Sequence, residues 1–417
     1  MAMKQTQTKM FDFADVGLDF CSGSKNLFPD RFKKMLSQGY NEQTVASVSV
    51  TGNQVTLNYG VAHGYAADRV LKINSGPLAA INGGEFWVDA VTATSLTMTI
   101  DAAPISITGG FVTKIAPLGW QLVYEQSNIH VYKFKHIDNT DMYLRLCFQD
   151  QAARRNCISP CIGKTFDSTS GAITDSNALS DNTTLISPGD KFKWEFQNSA
   201  TSSFNNSTYS AGVLTFGKGF VVGSLYHLML LTNRGNATHF GSINGLLPVS
   251  VFDYSNLDYP MIVGCVDPAA ITGSGTNAGQ DYSTALSNGG AAYIGNIRVN
   301  FQTSTTTLYS ASKELFLKTN SVVSYLPANI DSFNTTTAHP LQIYDYSTSQ
   351  FLGFSAGGVF ECHYAVSTKP SQAVSDSPSL ITEIDFNHKA LIHSICNGNT
   401  AASVFLAFPV EEIRNGT

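Results

Sequence analysis

The chain has 417 residues, too many for one comfortable hydrophobic core, so two or three domains are expected. Hydrophobic residues make up 43% of it, a fraction that excludes a wholly disordered protein. Charged residues make up only 13%, and Ser, Thr, Asn and Gly supply most polar positions, as is typical of a β-rich protein with many loops. The net charge of −6 argues against a nucleic-acid partner, because phosphate binding needs a concentrated positive field.

The sequence also bears on location and on redox state. No apolar run approaches the roughly 18 residues that would span a bilayer, so no membrane span is expected. Residues 1–13 lack the apolar core of a secretion signal, which predicts synthesis and retention in a cytoplasm. The seven cysteines are odd in number and scattered, a pattern that predicts free, mostly buried thiols rather than a disulfide framework.

Residues 1–42 are predicted to form an N-terminal leader with one short helix. The helix is indicated by a proline suited to a first turn, an apolar face and a glycine stop, namely Pro29, then Phe32, Met35 and Leu36, then Gly39. Because so short a helix cannot stand alone, we expect it to pack on a later domain or on a neighbouring subunit. The preceding segment, residues 4–13, is expected to order only on assembly.

Residues 43–116 are predicted to form a small β-sandwich or barrel module. Short runs with an apolar residue at every second position, typical of strands, alternate with glycine-rich turns. The predicted strands are 47–50, 54–59, 69–75, 85–91 and 95–100. The boundary at Pro117–Gly119 leads into the next region, so the module is interpreted as an insertion or an accessory domain.

The strongest strand signal lies between Trp120 and Phe148. Residues 129–134 and 142–148 alternate in apolar character, and Asp138–Asp141 lie between them. Short polar side chains suit a turn because they bond the local backbone. The pattern therefore predicts an antiparallel hairpin whose second strand has one buried face.

Residues 117–417 as a whole are predicted to form a large antiparallel β region, as one unit or two subdomains. Further candidate strands are 213–223, 225–231, 260–266, 291–302, 341–346, 358–366, 381–386, 389–396 and 403–408. Two long polar segments, Thr165–Asp190 and Ala269–Asn288, have a length that usually serves binding or subunit contact. The fold class expected for the chain is all-β, built of antiparallel sandwich or barrel modules with few short helices.

The best candidate for a metal or acid–base site lies in the turn of the predicted hairpin. It comprises His136, Asp138 and Asp141, with Asp150 nearby. A site would require these side chains to converge on a pocket, whereas in a hairpin turn they are expected to point outward into water. No catalytic, cofactor-binding or metal-binding residue, and no cofactor, is therefore assigned.

Other chemically suggestive residues are better explained as structural. His63 is expected to be a turn residue with one backbone hydrogen bond. Phe354–Gly358 lacks a complete nucleophile elbow and is expected to be a β-turn, and Gly273–Gly279 lacks the lysine of a phosphate-binding loop. Cys157 and Cys161 lack two further zinc ligands and are expected near a proline-containing turn. Five more histidines show neither a metalloprotease spacing nor a partner nucleophile: His227, His239, His363, His388 and His393.

The three tryptophans raise the question of sugar binding. Trp87, Trp120 and Trp194 would suit a sugar-binding face, but each lies within a strand-like alternation, so packing in the core is expected. The glycosylation-type sequences at Asn206 and Asn236 imply no glycans in a protein that is not secreted.

Three stretches together resemble virion structural proteins of tailed bacteriophages. Residues 62–100 are similar to small β modules of phage tail and baseplate-associated proteins, with a His-Gly turn, a strand, a glycine-containing loop and a closing strand of alternating threonines. Residues 119–150 resemble a phage pattern of an early Trp, an aromatic strand and a second strand. In residues 239–266, a Phe-Gly element precedes a polar link and an apolar strand. The resemblance covers residues 44–266 and includes no invariant motif, so it carries over no individual residue roles.

This resemblance implies a non-enzymatic structural subunit of a tailed-phage virion, at the tail, baseplate or neck, that works by oligomeric assembly. Its partners would be copies of itself and other virion proteins, and its location the virion, after assembly in the host bacterial cytoplasm. Low charge favours this interpretation because charged residues are depleted at interface cores. Two alternatives stay open. The first is a receptor- or carbohydrate-binding decoration or spike protein, which would bind a host surface glycan through exposed aromatics and carboxylates in one groove. The second is a polysaccharide-cleaving enzyme, which would need two facing carboxylates about 5–10 Å apart.

Overall fold

The computed structural model describes residues 3–22, 24–151, 157–188, 192–196, 218–233, 241–265, 290–301, 337–363, 370–371, 373, 375–383, 388–396 and 403–410. Strands account for 46% of the structure and helices for 8%. The strands pair in antiparallel fashion into five sheets. The all-β fold class predicted from the sequence is confirmed. Of the helices in the described residues, none has both the length and the apolar character needed to cross a membrane.

The strands are numbered in chain order. The first fourteen are β1 (Lys9–Asp12), β2 (Tyr40–Thr44), β3 (Ser47–Thr51), β4 (Gln54–Asn58), β5 (Val70–Ile73), β6 (Glu85–Trp87), β7 (Ala90–Val91), β8 (Ser95–Thr99), β9 (Val112–Ile115), β10 (Gln121–Gln126), β11 (Ile129–Lys135), β12 (Asp141–Phe148), β13 (Cys157–Gly163) and β14 (Trp194–Glu195). The other fourteen are β15 (Phe220–Gly223), β16 (Leu228–Asn233), β17 (Gly241–Leu247), β18 (Val249–Val251), β19 (Met261–Cys265), β20 (Gly290–Ile294), β21 (Ile297–Asn300), β22 (Thr337–Pro340), β23 (Gln342–Asp345), β24 (Phe351–Ser355), β25 (Phe360–His363), β26 (Ser379–Glu383), β27 (His388–Cys396) and β28 (Ser403–Pro409).

The predicted leader helix is present as α1 (Leu27–Lys33), which continues into a π-helical turn at Lys34–Gln38. Gly39 ends it with a φ of 77°, a conformation that glycine adopts at little cost. Phe28 and Phe32 of α1 contact the ring of Phe148, so the helix packs on a later part of the same chain. Short 3₁₀ turns occur at Pro77–Ala80, Asn82–Gly84 and Ser180–Asn182.

The leader also contributes a strand, which the sequence did not predict. β1 pairs with β15, with Lys9 opposite Gly223 and Asp12 opposite Phe220. The expectation that residues 4–13 order only on assembly is therefore wrong, because the strand hydrogen bonds are made within the chain.

The predicted β module contains two four-stranded sheets, in the orders β2-β9-β5-β6 and β3-β4-β8-β7. All five predicted strands are confirmed, but the run 85–91 is split into β6 and β7, which belong to different sheets. The sequence missed β2 and β9. Buried residues of both sheets, such as Leu57, Met98, Leu71 and Phe86, belong to one apolar cluster. The domain boundaries at 42/43 and 116/117 stay a prediction.

The hairpin predicted at 129–148 is confirmed as β11 and β12, the centre of a five-stranded sheet in the order β10-β11-β12-β13-β14. Two expectations about this sheet are wrong. Cys157 and Cys161 lie within strand β13, not beside a turn. The second face of β12 is not open to water either, since Arg145 and Cys147 are buried. That face is covered because the polar segment after β13 folds back onto it, as the hydrogen bonds from Arg145 to Gly171 and Asn182 show.

The largest sheet has ten strands, in the order β1-β15-β16-β17-β19-β20-β21-β23-β24-β18. The fifth sheet has the order β22-β25-β28-β27-β26. Counterparts are present here for the predicted strands 225–231, 260–266, 341–346, 358–366, 381–386, 389–396 and 403–408, and for the described end of 213–223. The run 291–302, predicted as one strand, forms two that pair with each other, β20 and β21. Buried side chains of all five sheets contribute to one continuous apolar cluster.

The tryptophans and the described cysteines lie in the interior, as predicted. Trp120 and Trp194 donate from their indole Nε1 atoms to the carbonyls of Ser224 and Val263, at 2.8 and 2.9 Å. Such bonds satisfy the polar end of a buried indole. All three tryptophans are buried: Trp87, Trp120 and Trp194. The described cysteines are also buried: Cys21, Cys147, Cys157, Cys161 and Cys362.

Candidate functional site

The turn between β11 and β12 holds two potential ligands in a fixed arrangement. The His136 amide donates to the Thr140 carbonyl, and the Asn139 amide donates to the His136 carbonyl. The Asp138 carboxylate accepts hydrogen bonds from the Thr140 amide at 2.9 Å and the Thr140 hydroxyl at 2.6 Å. This local bonding is the reason why short polar residues favour such a turn. It brings Asp138 Oδ1 to 3.2 Å from Nδ1 of His136.

The predicted orientation of these side chains is only partly right. Asp138 is exposed, as expected, but His136 is only 8% exposed and does not point into water. Burial acts to raise the pKa of Asp138, but the hydrogen bonds from Thr140 and the charge and hydrogen bond of His136 together lower that pKa below its ordinary value. The Asp138 carboxylate is therefore ionised at neutral pH.

A third ligand comes from a distant loop, residues 252–260, between β18 and β19. In this loop the buried side chains of Leu257 and Tyr259 flank Asp258, which is exposed. The Tyr259 hydroxyl donates to Asp175 at 2.8 Å and anchors the loop. His136, Asp138 and Asp258 each place one potential ligand atom within 4.8 Å of the others. We call these three residues the His–Asp–Asp cluster.

The other two carboxylates of the predicted cluster lie elsewhere. Asp141 pairs with Lys135 at 2.7 Å and with Lys133 at 3.4 Å. Asp150 accepts a hydrogen bond from the Ser187 hydroxyl at 2.6 Å. The structure thus keeps His136 and Asp138 together and replaces the two expected neighbours with Asp258. Nothing in the sequence around Asp258 indicated this, because the contact depends on how two sheets meet.

Two serine–histidine pairs correct the expectation that the histidines lack a partner nucleophile. The Ser224 hydroxyl is 2.7 Å from Nδ1 of His227, and the Ser377 hydroxyl is 2.9 Å from Nδ1 of His393. Nε2 of His393 faces the carbonyls of Thr232 and Ser242, which can only accept, so Nε2 carries the proton and Nδ1 accepts from Ser377.

Both pairs lie inside the protein, where a substrate cannot reach them. The two histidines are 0% exposed, and the two serines are 0% and 2% exposed. Burial lowers the pKa of His227 to about 3 and that of His393 to about 4, so both rings are neutral at physiological pH. Both ring nitrogens of His393 have hydrogen-bond partners, as is usual for a core residue. Among the described residues, Nε2 of His227 is buried without one.

The remaining predicted positions are structural where they are described. His63 is buried and makes two backbone hydrogen bonds rather than one, to the Ser95 carbonyl and from the Tyr65 amide. In Phe354–Gly358, the first two residues end β24 and the rest form a bend. Gly273–Gly279, His239 and the sequences at Asn206 and Asn236 lie outside the described residues, as does Ala269–Asn288.

Among the described residues, the most exposed aromatic side chains lie on or just after β23, β24 and β18, the last three strands in the order of the ten-stranded sheet. Phe351 and Phe354 stand three residues apart on β24, yet their rings are only 5.0 Å apart. A regular strand would place them on opposite faces, but the pairing of β23 with β24 shifts at this point, and the extra residue, Leu352, rotates Phe351 to the same side. We name the aromatic end surface by its exposed residues: Phe252, Tyr254, Tyr346, Phe351 and Phe354.

The aromatic end surface adjoins the end of a sheet. β18 is the last strand in the order of the ten-stranded sheet, and within the described part of the chain it pairs with β24 on one side only. Tyr346 is covered on one side by the guanidinium of Arg298, 3.9 Å from the ring centroid, whereas its exposed fraction is 42%. The surface therefore combines an unpaired strand edge with rings that face solvent.

No protein-family model, no curated protein and no solved structure matches this chain. Inferences about function therefore depend on its own side chains and surfaces.

Proposed function

We propose that this chain is a structural subunit of a virion, of the tailed-phage class that its sequence resembles, and that it works by assembling with copies of itself and with other virion proteins. The proposed location is the virion, after assembly in the cytoplasm of a bacterial host. The proposal does not include an enzymatic reaction.

The observation that carries this proposal is the aromatic end surface. Phe252 is 48% exposed and Tyr254 is 65% exposed. Both follow β18, which pairs with β24, the strand that carries the contacting rings of Phe351 and Phe354. Large exposed apolar side chains that lie together are costly in water and typically mark sites of protein contact. Aromatic residues are also enriched in the buried centres of interfaces.

The edge of β18, which has no second strand partner among the described residues, supports the same interpretation. An edge strand presents backbone donors and acceptors that a strand of another chain can pair with. Only 13% of the residues are charged, so two copies can bring such edges together with little like-charge repulsion. We therefore expect the first contact to be between copies of this chain.

The experiment is light scattering coupled to size-exclusion chromatography of the purified full chain over a dilution series. We expect an oligomer whose mass falls on dilution. The double variant Phe351→Ser, Phe354→Ser should shift the protein toward the monomer, because the apolar area that oligomerisation buries is removed.

The matched control is Ile105→Ser, which removes an apolar side chain that is 96% exposed in the β module. It should leave the mass distribution unchanged. A wild-type protein that is monomeric at every concentration would contradict self-assembly, as would an equal effect of the control. Thermal unfolding of each variant shows whether the fold is retained.

The proposed location in the virion is tested by immunogold labelling of particles from an infected culture. We expect label at one position on intact particles. Label that stays with soluble host protein, while particles remain bare, would contradict the proposed location.

A second function, binding of a host surface glycan, is favoured by one feature of the same surface. Asp253 stands between Phe252 and Tyr254 in the sequence, and all three side chains are exposed. Aromatic faces beside a carboxylate suit a sugar, whose C–H groups stack on rings while its hydroxyls donate to the acid. A glycan array separates the two proposals: binding that Tyr254→Ser abolishes without changing the oligomeric mass would favour the glycan.

A further inference from the structure

The His–Asp–Asp cluster combines donors of two kinds. One imidazole nitrogen and two carboxylate oxygens converge within 4.8 Å from the β11–β12 turn and from the loop before β19. Imidazole with carboxylate is the donor set that zinc and similar divalent transition metals accept, whereas magnesium and calcium prefer oxygen alone. The cluster is therefore more selective for zinc-type metals than a group of surface carboxylates would be.

The burial of His136 is a second and independent observation. The residue is more than nine-tenths buried, and among the described residues its ring has no hydrogen-bond partner outside the cluster. A buried imidazole normally has polar partners for its ring nitrogens, because desolvating them without compensation is costly. Here the ring faces two carboxylates, an environment that suits a cation.

We infer that His136, Asp138 and Asp258 bind one divalent transition-metal ion of the zinc type, which fastens the β11–β12 turn to the loop between β18 and β19. This inference is independent of the proposed assembly function. The three side chains would supply three ligands, and water would complete a tetrahedral set.

The distances are compatible with such an ion. Ligands about 2.0–2.1 Å from zinc in a tetrahedron lie about 3.3 Å apart. His136 Nδ1 and Asp138 Oδ1 are already 3.2 Å apart. Asp258 places its ligand atom within 4.8 Å of both. Its side chain is 50% exposed, so a change of rotamer away from Lys164 can bring it into the tetrahedron.

One cation already competes for this site. The Lys164 ammonium lies 2.5 Å from Asp258 Oδ2 and 4.8 Å from the ring centroid of Tyr259. A metal ion that uses Asp258 would displace or repel this ammonium. Lys164 is 40% exposed, so its side chain can move into solvent. Removing the lysine charge should therefore tighten metal binding, an effect that a purely structural cluster would not show.

The test uses the full chain, stripped of metal with EDTA and dialysed. Zinc ion is then titrated by calorimetry, and the thermal unfolding midpoint is measured with and without zinc, with calcium and magnesium as comparison ions. We expect one zinc per chain at this site and a higher midpoint with zinc than with calcium or magnesium, because an ion that binds only the folded state stabilises it.

Four variants make the result specific. His136→Gln and Asp258→Asn should weaken zinc binding by at least about tenfold, since even the loss of an outer-shell partner costs that much at many metal sites. Lys164→Met should strengthen it. Asp141→Asn is the matched control. It removes a carboxylate close in sequence that pairs with Lys135 and Lys133, and it should leave the zinc affinity unchanged.

Asp258→Asn keeps the test decisive if His136→Gln disturbs the fold, because Asp258 is half-exposed and its replacement leaves the core intact. Absence of a zinc effect in the wild type would overturn the inference. A zinc effect of equal size in the wild type and in Asp258→Asn would overturn it too, since the ion would then bind elsewhere.

Discussion

The Asp15 carboxylate accepts two hydrogen bonds from the Arg69 guanidinium, from Nε at 2.7 Å and from the terminal Nη2 at 2.9 Å. The Tyr40 hydroxyl donates to the same carboxylate at 2.7 Å. The Asp15 and Arg69 side chains are 9% and 6% exposed, so the pair is buried. It joins the leader to the β module and satisfies charges that neither segment could bury alone.

Replacement of Arg69 by Met should destabilise the protein strongly. The Asp15 carboxylate would stay buried with Tyr40 as its remaining side-chain partner, a situation that typically costs about 3–5 kcal/mol. The measurement is the free energy of unfolding in urea. The control is Lys33→Ala, which breaks an exposed pair with Glu125 and should cost less than about 1 kcal/mol. An equal loss of unfolding free energy in the two variants would show that the buried pair contributes no more to stability than the exposed one.

Arg145 fixes the polar segment that follows β13. Its guanidinium donates to the carbonyls of Gly171, Asn182 and Leu185, and each of these would lose its charged donor in Arg145→Met. We expect a loss of about 2–4 kcal/mol, because buried hydrogen bonds to a charged group are among the stronger ones.

Arg145→Met should also increase local opening of the polar segment that follows β13. Hydrogen exchange of amides between residues 165 and 185 should accelerate more than exchange in β11. Lys164→Met, an exposed change at the start of the segment, serves as the control and should leave this exchange pattern unchanged. Acceleration spread evenly over the whole protein would contradict the local role of Arg145.

His227 makes stability depend on pH. Burial lowers its pKa to about 3, whereas the unfolded chain binds the proton with the ordinary value of about 6.5. Between these values the unfolded state holds more protons than the folded state, so stability falls as the pH drops below about 6.5, by up to about 1.4 kcal/mol per pH unit. Above pH 6.5 this contribution is constant.

His227→Asn tests this dependence, because asparagine can keep a hydrogen bond to Ser224 and does not titrate. Urea unfolding at several pH values between 4 and 7 should show a slope lower by about one proton in the variant. Some slope should remain, since burial also lowers the pKa of His393 and of His130 to about 4. An unchanged slope would show that His227 is not the group that titrates.

Much of the strand content was predictable because it follows from local patterns. Alternating apolar residues in β4, β8, β11 and β12 indicate strands whatever surrounds them, and polar turns such as Asp138–Asp141 end them. The leader helix was equally local, since Pro29 and Gly39 mark its two ends.

Elements without such patterns were missed. Cys157–Gly163 contains a proline and two cysteines, yet it forms β13 because β12 on one side and β14 on the other supply its partners. The sequence does not predict β24 and assigns only its last two residues, Phe354 and Ser355, to a turn, because its glycine and serine obscure the alternation. Its irregular pairing with β23 could not be inferred from composition. In both cases the neighbouring strands override weak local preference.

The sequence by itself determined the all-β class, most strands, the burial of the tryptophans and of the described thiols, and the turn that carries His136 and Asp138. These follow from period-two patterns and from turn chemistry, which act over a few residues. Only the tertiary structure decided that Asp258 meets that turn, that Arg145 lies under a folded-back segment, and that Phe351 and Phe354 share an exposed face. Each of these depends on long-range packing and strand register, which local sequence does not encode.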